Sequence, residues 1–314
     1  MFFTSTKIII NILIILFFNL NFIQNCQPKI TLINRLITFV RMQLLKRILS
    51  FYISASIHVA LSVYALIRMT FHFFHIAYDE PMILFAFFGT IVGYNFVKYE
   101  ALVRAEKVRW SRQLKGIVVV SVVSFAVAGY YFFHLERITQ LVAIGFLALT
   151  LLYTLPVFPK IGNARNWAGV KIYIVAFCWA GITLFLPILN AGLTLSHDVW
   201  LKFCQRFLLI IILILIFEII DLKNDDLSLQ TVPQKLGVAK TKILNLFLLI
   251  PFYFLEFLKS DFQVQQLWIN LVLVVVIALF TVFSSPKRSN YYTDFWVESI
   301  PIFWWFMVFY AENM

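Results

Sequence analysis

From residue 49 to the end of the chain, long apolar runs alternate with short polar loops. The runs lie at approximately 49–71, 82–98, 115–133, 138–156, 168–190, 203–222, 243–258, 266–284 and 295–311. Their lengths are close to the roughly 17–25 residues that carry a helix across a hydrocarbon core of about 30 Å. Inside lipid every backbone donor needs a partner within the protein, and segments of this length meet that need as helices. The pattern predicts an all-α, polytopic transmembrane helical bundle of about nine spans, filling residues 49–314 as one domain.

Composition supports that class. The chain is 62% hydrophobic and 13% charged, against roughly a quarter charged residues in a soluble domain. A formal charge of +11 would suit nucleic acid if it were spread over one face, but its distribution argues against that partner. Lys98, Arg104, Lys107, Arg109, Arg112 and Lys115 fall between spans two and three, and Lys160, Arg165 and Lys171 between spans four and five. Lys223, Lys235, Lys240 and Lys242 follow span six, and Lys287 and Arg288 follow span eight. The alternate loops carry Asp79, Glu80, Glu136, Asp198 and Asp261 and are poorer in lysine and arginine. Basic loops stay on the cytoplasmic side, so the pattern predicts a multi-pass protein of the cell inner (plasma) membrane with an inward N-terminus. Cys26, Cys178 and Cys204 have neither metal-ligand nor disulfide-framework spacing.

Residues 1–48 read as an N-terminal extension. Ile8 to Ile23 is largely apolar, with Lys7 before it and Gln24 to Pro28 after it, much like a signal-peptide core. Export would place the basic run Lys29 to Arg47 outside, against the charge pattern. Met42 as the true start and an additional interfacial or spanning helix are the other two readings.

The chemistry concentrates at the end of span six. Phe207 to Phe217 is apolar without a break, and Glu218, Asp221, Asp225 and Asp226 follow. Charges in a membrane segment are costly and are kept for a cation, a proton or a substrate. On a continuing helix Glu218, Asp221 and Asp225 share one face. A divalent cation would relieve their repulsion, and Mg²⁺ characteristically joins carboxylates to substrate phosphates. A solvated helix end is the plainer alternative.

Asp221-x-x-x-Asp225, then Thr231-Val232-Pro233 and Leu236-Gly237, resembles the second aspartate-rich motif of the UbiA superfamily of intramembrane prenyltransferases, with Glu218 at the first acidic position. Leu152-Tyr153-Thr154-Leu155-Pro156 with Lys160 and Asn163 resembles the family's segment after helix four. The resemblance implies a bundle around a lipid-facing cavity. There Mg²⁺, held by Asp221 and Asp225 with Glu218 and Asp226 assisting, would bind a prenyl diphosphate for transfer to an aromatic or other lipophilic acceptor. It assigns Asp221 and Asp225 the catalytic role and gives Asn95, Lys98 and Lys160 to the diphosphate.

The first motif of that family departs here. Asn95 matches, but Phe96, Tyr99 and Val103 occupy its three aspartate positions. Lys98 would then hold phosphate as a point charge, or the chain would keep the fold with altered or lost catalysis. A transporter with Glu218, Asp221 and Asp225 along a cation path is the rival from another class, although the paired repeats of transporters are not evident. His72, His75, Asp79 and Glu80 cluster beyond span one, on the other side from the acids, and read as interfacial packing. His58 lies within span one and faces the cavity or a neighbouring helix.

Overall fold

The computed structural model describes residues 39, 41–104, 110–155, 169–226, 229–260 and 263–312. The chain divides into two units, Met1–Phe51 and Tyr52–Met314. Helix α1 (Arg41–Ser54) begins in the first, and everything below concerns the second.

The described residues are helical and include no strand. The order is α2 (Ile57–Phe73), α3 (Glu80–Arg104), α4 (Arg112–Phe132), α5 (Arg137–Thr154), α6 (Val170–Asn190), α7 (His197–Asp221), the short α8 (Val232–Leu236), α9 (Val238–Phe254), α10 (Val264–Phe283) and α11 (Ile300–Glu312). A 3₁₀ turn, Leu255–Leu258, prolongs α9, and a π-helical turn, Tyr292–Val297, precedes α11.

Seven of these helices are long and apolar enough to cross a membrane, or eight if α1 and α2 count as one span. The sequence predicts about nine spans, and the described residues supply seven or eight candidates. The expected last span, 295–311, is divided between the π turn and the 13-residue α11, which by itself rises about 20 Å.

Burial shows which helix is central. The apolar stretch of α7 is 72% buried and that of α6 56%, against 17–28% for α3, α4, α5, α9 and α10. The outer helices turn large apolar side chains outward, including Val119, Val122 and Phe125 of α4. A helix apolar all round must be buried or lie in lipid. One packed cluster joins α2, α3, α5, α6 and the start of α7 through Ile67, Met82, Phe146, Leu184 and Phe203. A second joins α2, α7, α9, α10 and α11 through Met69, Ile212, Phe252, Leu273 and Trp304. Small residues let membrane helices approach closely, and Gly181 of α6 does this against the Phe146 ring of α5, which a Cβ would overlap.

Helix ends are closed by local chemistry. Asp79 Oδ1 accepts the Met82 amide at 3.0 Å at the start of α3, and its other oxygen accepts from Asn190 Nδ2 at 2.5 Å. Contacts of Lys171 with Glu218, of Lys242 with the Val282 carbonyl and of Asn95 with Ser121 bring the end of α7 to the start of α6, the start of α9 to the end of α10, and α3 to α4. The acidic residues singled out in the sequence lie at the end of α7.

Candidate functional site

Helix α7 stops at Asp221, and the next residues form a turn in which the Asn224 and Asp225 amides donate to the Asp221 carbonyl at 2.7 and 2.9 Å. The expected helical stripe of Glu218, Asp221 and Asp225 is thus corrected, because Asp225 lies beyond the helix. The turn keeps the Asp225 side chain beside Asp221, whose electrostatic neighbours are Asp225, Asp294, Lys171 and Lys223. Asn290 Nδ2 approaches Asp221 Oδ1 at 3.4 Å. Both aspartates are half-buried, while Asp226 is exposed and its carbonyl accepts from Gln234 Nε2 at 3.0 Å.

Glu218 is engaged elsewhere. Its side chain is only 5% exposed, with Oε1 3.0 Å from Lys171 Nζ and Oε2 accepting the Val232 amide at 3.0 Å. The carboxylate therefore ties the end of α7 to the start of α6 and to the first residue of α8. Thr231 begins α8, its amide donating to Gln234 Oε1 at 2.9 Å. Gly237 joins α8 to α9 at φ 81°, ψ 156°, a backbone region essentially confined to glycine.

Asn95 is buried in a structural junction. Its Oδ1 accepts from Ser56 Oγ at 2.8 Å, and its Nδ2 donates to the Ala55 carbonyl at 3.2 Å and to Ser121 Oγ at 2.8 Å. These bonds link α3 to the α1–α2 break and to α4, and they occupy the side-chain amide. Lys98, one turn on, is exposed and has Asp294 and Glu298 as electrostatic neighbours. Lys160 and Asn163 lie outside the described residues. Tyr153 and Glu298 both influence Tyr94, whose hydroxyl accepts from Trp179 Nε1 at 2.6 Å.

Sequence reasoning passed over Asp294 and Glu298, which sit on the π turn across from Lys98. The turn shows its wide winding in the Glu298 amide, which donates to the Thr293 carbonyl at 3.0 Å. Single π turns recur at functional sites. Side chains of α2 hold it: Ser62 Oγ donates to the Glu298 carbonyl at 2.5 Å, and His58 Nε2 lies 2.9 Å from the Phe295 carbonyl and 3.0 Å from Ser299 Oγ. His58 therefore faces a neighbouring helix. Burial lifts the Asp294 carboxyl above its ordinary 3.8, with Lys98 and the Thr293 hydroxyl pulling it back.

A second group of charges, also missed, lies deep in the other half of α7. Lys202 and Arg206 are 1% and 0% exposed. Lys202 Nζ is 3.1 Å from Glu256 Oε2, and Lys259 Nζ is 2.8 Å from Glu256 Oε1. Gln205 and Asn270 donate to Glu256 Oε2, each at 3.1 Å. The available signal was two basic residues four apart at the head of an apolar run.

The described residues include no group of three or more His, Cys, Asp or Glu disposed to hold a metal ion. Asp221 and Asp225 remain a pair of adjacent carboxylates, and one or two carboxylates completed by water and substrate phosphate is the usual set for Mg²⁺. The donor set therefore fits one hydrated Mg²⁺ better than a fully protein-bound ion. No family model, no curated protein and no solved structure matches this chain.

Proposed function

We propose that this protein is an intramembrane prenyltransferase-like protein that binds a prenyl diphosphate at the acidic end of α7. The observation that carries this reading is the convergence of Asp221, Asp225 and Asp294 with Lys98, Lys171 and Lys223 at one end of an apolar bundle. Such a rim suits a ligand with a doubly phosphorylated head and a hydrocarbon tail. Asp221 and Asp225 would hold Mg²⁺, which when bound offsets the negative charge of a departing diphosphate. Exposed Lys98 would meet phosphate oxygens as a point charge. Lys171 orients Glu218 and adds positive potential beside Asp221. The apolar bundle would house the isoprenoid and keep water from the reacting carbon, with an aromatic or other lipophilic acceptor entering from the bilayer.

A second reading, a bundle of this type that binds a lipid diphosphate without turning it over, is favoured by Asn95 and Glu218. Two of the polar residues the resemblance gives to ligand and metal are spent on helix junctions.

The test is binding of farnesyl diphosphate to the full chain in nanodiscs, with and without Mg²⁺, for wild type and Asp221→Asn. Mg²⁺-dependent binding that the substitution removes is the expected result, and absence of binding to either protein overturns both readings. Release of inorganic diphosphate from the bound substrate, followed with a panel of lipophilic acceptors, separates a transferase from a binding protein.

A further inference from the structure

Arg206 lies midway along α7, about 22 Å from Asp221 at 1.5 Å per residue, and is 0% exposed. One of its terminal nitrogens, Nη1, donates to Thr70 Oγ1 at 2.8 Å, to the Thr183 carbonyl at 2.7 Å and to Thr183 Oγ1 at 3.0 Å. Those bonds fix the guanidinium between α2, α6 and α7. Its other edge is different: Nε and Nη2 are buried and have no hydrogen-bond partner in the protein. That edge presents two parallel N–H groups, the fork that receives a carboxylate or another anion in bidentate fashion. Buried donors are paired in the great majority of cases, and an orphaned one signals a missing water or ion.

Charge points to the ion. Among the described residues Arg206 takes part in no ion pair. The neighbouring charged groups are no remedy, because Lys202, one turn away on α7, is itself a cation, and Glu256 of the 3₁₀ turn is already shared by Lys202 and Lys259. Lys202 further rests its ammonium over the Phe73 ring, 4.1 Å from the centroid. Lys202 and Lys259 therefore take up the Glu256 carboxylate, and Arg206 is left without a carboxylate of its own. An unpaired buried charge is strongly destabilising, and intramembrane arginines are normally matched by a partner or a ligand.

We propose that Arg206 anchors an anion-binding site inside the bundle, where a small monovalent anion, chloride or the carboxylate of a small organic acid, accepts from Nε–H and Nη2–H. Full enclosure of the guanidinium limits the ligand to a small one, and the single formal charge balances Arg206. The site is separate from the acidic end of α7 and does not rest on the transferase reading.

The experiment is thermal unfolding of the full chain in nanodiscs at constant ionic strength, with sodium gluconate replaced stepwise by sodium chloride or sodium formate. A saturable rise of several degrees in the midpoint is expected for wild type and is absent from Arg206→Met, which keeps the side-chain length and removes the charge. Chloride-35 line broadening by the wild-type protein, relieved by formate, provides a readout that needs no variant to fold. A response to chloride assigns a halide, and one to formate alone assigns a carboxylate. A midpoint insensitive to both anions with no line broadening overturns the proposal and leaves Nε and Nη2 to water. An unchanged response in Arg206→Met overturns it equally.

Discussion

The Lys171 ammonium lies 3.0 Å from one oxygen of Glu218, and the other oxygen of that carboxylate accepts the Val232 amide. One side chain thus fastens α6, α7 and α8 together beside Asp221. Glu218→Ala leaves a largely buried lysine and a backbone donor unpaired, so a loss of about 2–3 kcal/mol is expected. Glu218→Gln should weaken the fold without abolishing Mg²⁺-dependent farnesyl diphosphate binding. Unfolding midpoints alongside binding isotherms check this, and loss of binding at unchanged stability would return Glu218 to the metal.

Glu256 takes both Lys202 and Lys259. Removing one partner of a buried pair costs about 3–5 kcal/mol, whereas replacing the pair by well-packed apolar residues is far milder. Glu256→Met should therefore destabilise strongly, and Glu256→Met with Lys202→Met should recover much of the loss. Denaturation of wild type, Glu256→Met, Lys202→Met and the double variant in one detergent measures the coupling.

Gly181 faces the Phe146 ring so closely that an added Cβ would overlap it. Overpacking of this kind costs about 1–3 kcal/mol. Gly181→Ala should fall in that range, and pairing it with Phe146→Leu should restore part of the stability. An unchanged midpoint for Gly181→Ala would mean that α5 and α6 pack less tightly than described.

Asp294 sits just before the expected last span, and burial raises its carboxyl above 3.8. A raised carboxyl binds its proton more tightly in the folded protein, so its contribution is fully present below pH 3.8 and is lost as pH rises through the folded value. Asp294→Asn should leave stability unchanged below pH 3.8 and increase it at neutral pH. Unfolding midpoints across that window test the sign. A variant less stable than wild type at neutral pH would show that Lys98 outweighs burial.

Much of the architecture is legible in the chain because lipid leaves few choices. The long apolar runs become helices α3 to α7, α9 and α10, and the acidic end of α7 is visible where Phe217 gives way to Glu218. Thr231-Val232-Pro233 and Leu236-Gly237 stand out in the sequence only as parts of a motif, and it is the structure that makes them the start of α8 and its joint to α9, where Gly237 holds a glycine-only backbone angle. The last span is less legible, since the same apolar letters serve a π turn and a short α-helix, and the difference is made by Ser62 and His58 reaching across from α2.

Sequence alone determined the class of the protein, its helical segments and the place where carboxylates gather, because hydrophobic length and backbone satisfaction act locally along the chain. Only the tertiary structure decided what each polar residue is for. Glu218, in line with Asp221 by spacing, is drawn to Lys171 47 residues away in sequence, and Asn95 is consumed by Ser56 and Ser121. Asp294 reaches the rim from the far end of the chain, and Arg206 is left with two donors and no acceptor. Such pairings depend on which helices become neighbours, and a hydrogen bond's reach of about 3 Å leaves that decision to the packing of the whole bundle.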